Sequence, residues 1–271
     1  MDQQERITQI FEQAKKIVVK CGTDVVVEHE MFRRYLAADI RDLTDEGKGV
    51  VLVSSGAIGY GKREYAELNK IDLSDIVVED KVDKQFFSVL GQKRLMRKWE
   101  HAFATASTSL GASQHLLTNH DFNNEEQAVN LKQVVERTIK RGIIPVINAN
   151  DATSQDALIN DNDDLATRIT LALDADLLII LSSGIDGLYK DYGKTSQELV
   201  THVPKITKDI RALVDPTSFT AQGTGGMHSK ILAAEYLLEA GHSMIIARGT
   251  GKYAIRGLRE SSRPCTLFSP D

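Results

Sequence analysis

Short runs dominated by β-branched and aliphatic residues, at 17–20, 50–53, 143–148, 177–181 and 244–247, alternate along the chain with longer stretches of helical periodicity. Continuous apolar runs of this length suit strands buried on both faces, which parallel sheets require. Parallel neighbours need crossovers, and the intervening stretches supply them. Phe32, Leu36, Ile40 and Leu43 fall on one helical face before Gly47, and Phe86, Leu90, Leu95, Trp99 and Phe103 suggest another. The stretch 125–141 opens on two acids and closes on Arg137, Lys140 and Arg141 before Gly142, a charge order that complements a helix dipole. Right-handed βαβ crossovers of this kind predict a three-layer α/β/α sandwich around a mainly parallel central sheet. The run 265–268 reads as a closing strand, and 1–16 as a polar lead-in helix.

With 271 residues and 42% hydrophobic content, the chain can bury a full core, and no repeat or Pro/Ser-rich linker divides it, so a single domain spanning 1–271 is expected. The net charge of −5, with both signs interspersed, leaves no basic stripe for a nucleic acid. No apolar run reaches the roughly 18 to 20 residues that cross a bilayer. The two cysteines, Cys21 and Cys265, have no metal-ligand spacing, and together with the absence of a signal-like start they point to a reducing, cytoplasmic setting. The histidines form no metal motif, Cys21 suits a small apolar filler, and Trp99 suits a core or interface position.

Sheets of this class bind ligands beyond the carboxyl ends of their strands, and polar and glycine-rich segments follow several of the predicted strands. Lys20 closes the first and is followed by Cys21, Gly22 and Thr23, so a cation adjoins backbone that can approach a ligand closely. After the second comes the segment 54–61, with Ser54, Ser55, Gly56, Gly59 and Gly61; it matches neither a Walker A loop nor a dinucleotide fingerprint, yet its N–H groups can hold an anion. The run at 143–148 continues through Asn148 and Asn150 to Asp151. Ten residues later Asp161, Asn162, Asp163 and Asp164 head an apolar-periodic helix, without the glycine and glutamate that a calcium loop needs. An ordinary acidic N-cap is the competing reading. Finally, Gly223 to Gly226 leads through Met227, His228 and Ser229 to Lys230, a glycine-rich loop running into a helix expected over 231–240.

Taken in order, the segments 18–23, 53–58, Gly91-Gln92, 144–151, 161–163, 187–189 and 223–230 resemble the amino acid kinase superfamily and, within it, the glutamate 5-kinases. The resemblance covers nearly the whole chain. It implies ATP-dependent phosphorylation of the glutamate side-chain carboxylate, the first step of proline biosynthesis, with glutamate bound by the part up to about residue 165 and the nucleotide by the remainder. Ser55, Gly56, Asn148, Asp151 and Asn162 would then meet glutamate. Lys20, Gly22, Ser183, Gly184, Thr224, Gly225, Gly226, Met227, His228, Ser229 and Lys230 would meet ATP and its Mg2+. Lys20 and Lys230 would flank the transferring phosphoryl group, with Asp163 organising the two ammonium groups. No metal site built by the protein itself is implied. The resemblance further implies a homodimer or homotetramer, feedback by proline, and the short form without a PUA domain. Two positions depart from it: Ser183-Gly184 stands where Thr-Asp is usual, removing a carboxylate near the nucleotide, and Asp24 stands where Ser is common. Acetylglutamate, aspartate, carbamate or nucleoside monophosphate kinases are the nearest alternatives, and a catalytically silent glutamate or proline sensor is a different one. A carboxylate acceptor is already ionised at neutral pH, so such a site needs positioning and charge neutralisation rather than a general base.

Overall fold

The computed structural model describes residues 1–153, 162–214 and 226–271. Its strands are β1 (Lys16–Cys21), β2 (Gly49–Ser54), β3 (Gly111–Leu117), β4 (Ile143–Ala149), β5 (Leu177–Ser182), β6 (Tyr189–Lys190), β7 (Glu198–Leu199), β8 (His202–Val203), β9 (Ser243–Arg248) and β10 (Cys265–Phe268). The helices are α1 (Gln3–Gln13), α2 (Thr23–Val27), α3 (Glu30–Asp45), α4 (Ala57–Asn69), α5 (Lys81–Ala106), α6 (His120–Asn123), α7 (Glu125–Lys140), α8 (Asn162–Leu173), α9 (Lys208–Ala212), α10 (Met227–Glu239) and α11 (Ala254–Arg259).

Eight strands form the central sheet in the order β3-β4-β2-β1-β5-β9-β10-β8, and β6 pairs with β7 separately. All pairings from β3 to β9 are parallel, while β10 runs antiparallel to β9. The chain lays β2, β4 and β3 to one side of β1, then crosses through α8 to place β5 on the other, so β1 stands where the strand order reverses. Helices α1 to α5 and α11 pack on one face, and α7, α8 and α10 on the other.

All five runs expected as strands form strands. The edge strand β3 has no counterpart in the sequence reading, because its side chains are mostly exposed or half-buried and Ser113, Gln114 and His115 interrupt any apolar run. Two other expectations are corrected. Helix α1 is not merely a polar lead-in, since it buries Ile7 and Phe11 and is fixed by a capping box between Asp2 and Glu5. On α5 the buried stripe carries Phe87, Leu95, Met96, Trp99 and Phe103, while Phe86 points outward at 48% exposed and Leu90 is half-buried. The stripe is displaced because Gly91 presses this helix against α4. A Cβ there would lie 2.0 Å from the Ala57 carbonyl oxygen and 2.2 Å from the Gly61 nitrogen.

Helix α11 has no side-chain cap of its own. Asp39 of α3, only 2% exposed, accepts instead from the Ile255 N–H at 2.9 Å. Burial pushes this carboxyl up to about 6, against the opposing pull of the Ile255 and Arg256 N–H groups. Between the unfolded value of about 4 and the folded one, the native state holds a proton that the unfolded chain has released, so this group lowers stability as pH rises through that interval. Asp39→Asn keeps an acceptor and cannot ionise. Melting curves from pH 4 to 7 should show the variant gaining progressively on the wild type, and parallel curves would disprove the assignment.

Candidate active site

Strand parity decides which side chains meet. In β1, Ile17, Val19 and Cys21 face the α3 and α5 side, whereas Val18 and Lys20 face α8 and α10. Lys20 is therefore aimed at the amino terminus of α8, and its Nζ lies 2.5 Å from Asp163 Oδ1. From α10, Lys230 Nζ reaches Asp163 Oδ2 at 2.9 Å, and Ser229 Oγ donates to the same oxygen at 3.1 Å. Asp163 is completely buried, and Lys20 and Lys230 are 7% and 5% exposed. Burial alone would raise the Asp163 carboxyl, but the two ammonium groups overcome it and hold the group well below the usual carboxylate range. The acid is thus an anion that collects two cations at the end of the central strand.

One residue earlier on α8, Asn162 carries the adjoining cluster. Its Nδ2 donates to Ser55 Oγ at 2.6 Å and to Asn148 Oδ1 at 3.1 Å. Ser55 follows β2 with the parity of Val51 and Val53, which face the α8 side. Asn148 has the opposite parity, that of Ile144 and Val146, and its Nδ2 donates at 3.1 Å to Gln92 Oε1 on α5. Asp151 accepts from Ser88 Oγ at 2.6 Å, and burial raises its carboxyl while that hydrogen bond opposes the rise. Gly56 has φ +114, and a Cβ there would crowd Val26 and Val27, so glycine is what allows the turn that starts α4.

On the other side of β1, Gly22 donates its N–H to Leu181 at the end of β5. Ser183 Oγ donates to Asp24 Oδ2 at 3.1 Å, so the acid at position 24, an apparent liability beside phosphates, is tied to the segment following β5. Gly184 is exposed, with its carbonyl accepting from Arg248. Gly226 is buried and precedes α10, which begins at Met227, four residues earlier than expected, so Met227, His228, Ser229 and Lys230 occupy its first turn. Met227 packs partly into the core, while His228 is exposed and takes no described part in the cluster. Thr224 and Gly225, like Asp161 and Gly223, lie outside the described residues.

Residues 15–248 match the Amino acid kinase family. The chain belongs to that family. It is 32% identical over 266 residues to Glutamate 5-kinase 2 of Mesorhizobium japonicum, spanning 95% of this chain and 89% of that protein. With Glutamate 5-kinase of Clostridium acetobutylicum the identity is 34%, over 94% of each chain. Among solved structures, carbamate kinase from Giardia lamblia bound to AMP-PNP superposes with a TM-score of 0.65 at 16% identity, covering 96% of this chain and 99% of that one. This last likeness shows that the amino acid kinase fold is retained at low sequence identity. It is the fold already described here, a mainly parallel sheet between two helical layers.

Several contacts in and around this cluster escaped the sequence reading. Ser88 carried no signal at all, and Gln92 was noticed only beside Gly91, without a role. Trp99 is wholly core, and its indole N–H donates to Ser54 Oγ at 2.8 Å. The ion pair of Arg248 and Asp186, 2.8 Å apart where β9 and β5 end, joins residues 62 positions apart that no motif connects. Cys21 is the buried filler expected, its thiol pushed well above the ordinary range by burial. Among the described residues no three His, Cys, Asp or Glu side chains converge as a metal site, and no helix is long and apolar enough to cross a membrane.

Proposed function

We propose that the protein transfers the γ-phosphoryl group of ATP to the side-chain carboxylate of glutamate, giving glutamyl 5-phosphate and ADP, the first step of proline biosynthesis. The single observation that carries this reading is Asp163 lying between Lys20 and Lys230, one residue from an Asn162 tied to Ser55 and Asn148. Cations and amino-acid-binding groups then converge where the strand order reverses. A carboxylate oxygen of glutamate forms the new bond to phosphorus as the bond to the β-phosphate oxygen breaks, and ADP leaves with that electron pair.

The acceptor and the γ-phosphate are both anions, and the barrier to bringing them together falls if cations flank the transferred group. Lys20 and Lys230 supply those charges, and Asp163 orients both ammonium groups without taking a proton. Ser55, Gly56, Asn148, Asp151 and Asn162 receive glutamate, with Asp151 accepting from its α-ammonium group. Gly22, Ser183, Gly184 and 224–230 receive the nucleotide. Magnesium would enter with ATP, held by phosphates and waters rather than by an all-protein cage, and would neutralise β- and γ-phosphate charge. The division of labour falls near residue 165 within one kinase domain. A cytoplasmic homodimer or homotetramer with feedback by proline completes the proposal. The exposed Val82, Phe86 and Val89 of α5 are available to an association surface.

ADP release measured with MgATP and either glutamate, acetylglutamate, aspartate or no acceptor tests the reading. Turnover that requires glutamate supports it; turnover with another acceptor moves the substrate assignment to a sister kinase, and ATP binding without any turnover favours the sensor. Asp151→Asn should raise the glutamate KM roughly 10- to 100-fold, the worth of one charged hydrogen bond. It should leave the KM for ATP within about twofold, and an unchanged glutamate KM would remove Asp151 from the ammonium site.

A further inference from the structure

We infer that Ser88 and Gln92 of α5 are positioning residues for the amino acid substrate, setting the aim of Asp151 and of the Asn148–Asn162 pair; this rests on the glutamate reading given above. The two residues are one helical turn apart on the same face of α5. Ser88 Oγ donates to Asp151 Oδ2 at 2.6 Å, and Gln92 Oε1 accepts from Asn148 Nδ2 at 3.1 Å. From Asn148 the chain continues through Asn162 Nδ2 to Ser55 Oγ. The residues given to glutamate through their side chains are thus reached from α5: Asp151 and Asn148 directly, Asn162 through one amide and Ser55 through two.

Packing does not call for these side chains. Ser88 and Gln92 are 4% and 8% exposed on a helix face that continues through Leu95 and Trp99 into the core. An alanine or a leucine there would avoid the cost of burying a hydroxyl and an amide, a cost that hydrogen bonds only offset. Both polar groups do find partners, and both partners are substrate residues. The reach is set by the flush crossing of α5 over α4, where a Cβ on Gly61 would fall 1.8 Å from the Phe87 carbonyl oxygen. That contact lies directly beside Ser88, and Gly91 lies beside Gln92. The Gly91-Gln92 pair so becomes one device: the glycine fixes how deep the helix sits, and the glutamine uses that depth.

Ser88 holds one oxygen of Asp151 and leaves the other to be presented to an ammonium group. Gln92, by accepting from Asn148 Nδ2, fixes that amide so that its Oδ1 receives Asn162, whose orientation then follows.

Steady-state kinetics and glutamate-binding calorimetry on the full chain test the inference with Ser88→Ala, Ser88→Thr, Gln92→Met and Gln92→Glu. Ser88→Ala and Gln92→Met should each raise the glutamate KM and Kd about tenfold, with kcat and the ATP KM within about twofold. Ser88→Thr, which keeps the hydroxyl, and Gln92→Glu, which keeps the acceptor, should return most of the loss. A glutamate KM unchanged in both truncations overturns the inference. So does a parallel rise in both KM values with a falling melting temperature, the pattern of an ordinary packing role. If the wild type instead turns over a different acceptor, the glutamate reading falls by itself, and the same four variants assayed on that acceptor decide the positioning role.

Discussion

Asp163→Asn should cut kcat by two to three orders of magnitude while changing the KM for ATP far less. The wild-type carboxylate is fully buried and pairs with Lys20 at 2.5 Å and Lys230 at 2.9 Å. Asparagine keeps the shape and loses the charge, so two ammonium groups face one another across a buried site with no anion between them. Removing one partner from a buried ionic set costs about 3–5 kcal/mol because the remaining charge is left uncompensated. Misdirected cations at a developing phosphoryl charge cost about 100- to 1,000-fold in rate. The variant should also melt earlier than the wild type, and MgATP should raise its melting temperature by more than it raises that of the wild type, since bound phosphates replace the lost anion. Stopped-assay ADP release and thermal melts with and without nucleotide check both parts. Near-normal kcat in Asp163→Asn would remove the acid from the machinery.

A second large effect is expected far from any charge. Gly91→Ala should lower stability by more than about 3 kcal/mol, beyond the usual overpacking range, because the new methyl group meets backbone atoms of α4 across a helix crossing. Its Cβ would sit 2.0 Å from the Ala57 carbonyl oxygen, 2.2 Å from the Gly61 nitrogen and 2.8 Å from the Gly61 Cα. No side-chain rotation relieves such contacts, so α4 and α5 must part. At roughly 2–4 °C per kcal/mol for a chain of this size, the melting temperature should drop by at least about 6 to 12 °C. Any folded fraction should bind glutamate poorly, since Ser88 and Gln92 retreat with α5. Gly184→Ala is the control: nothing lies within 4 Å of a Cβ there, and its melting temperature should be close to that of the wild type. A Gly91→Ala variant as stable as that control would mean that the helices part without penalty.

The two departures from the family pattern acquire a physical account together. The carboxylate absent at Gly184 and the one present at Asp24 lie on segments that meet, because Ser183 donates to Asp24. The acid does not stand alone; it tethers the segment after β5 to the start of α2.

Much of the candidate site is legible in the sequence because its residues sit at strand ends and helix starts, where local chemistry marks them. Lys20 ends a buried strand, Ser55 and Gly56 form a turn with hydroxyls and glycine, and Asn162 and Asp163 head an amphipathic helix. These signals are local, and the periodicity that defines the strands also fixes which face Lys20 and Asn148 look toward. Ser88 sent no such signal, for a serine in mid-helix looks the same whether it meets solvent or a carboxylate. Phe86 misled because helical periodicity tolerates a shift of one residue, and only contact with α4 decides between Phe86 and Phe87.

The sequence by itself determined the layered α/β architecture, the parallel strands of the core and the polar groups that cluster at their carboxyl ends, since each follows from periodicity and local backbone chemistry. Tertiary structure alone decided that Asp163 lies between two lysines 210 residues apart, that α5 rests on α4 at Gly61 and Gly91, and that Ser88 and Gln92 consequently reach the residues proposed to hold the substrate. Those outcomes depend on ångström-scale depths between packed elements, and such depths are set by every side chain in an interface at once.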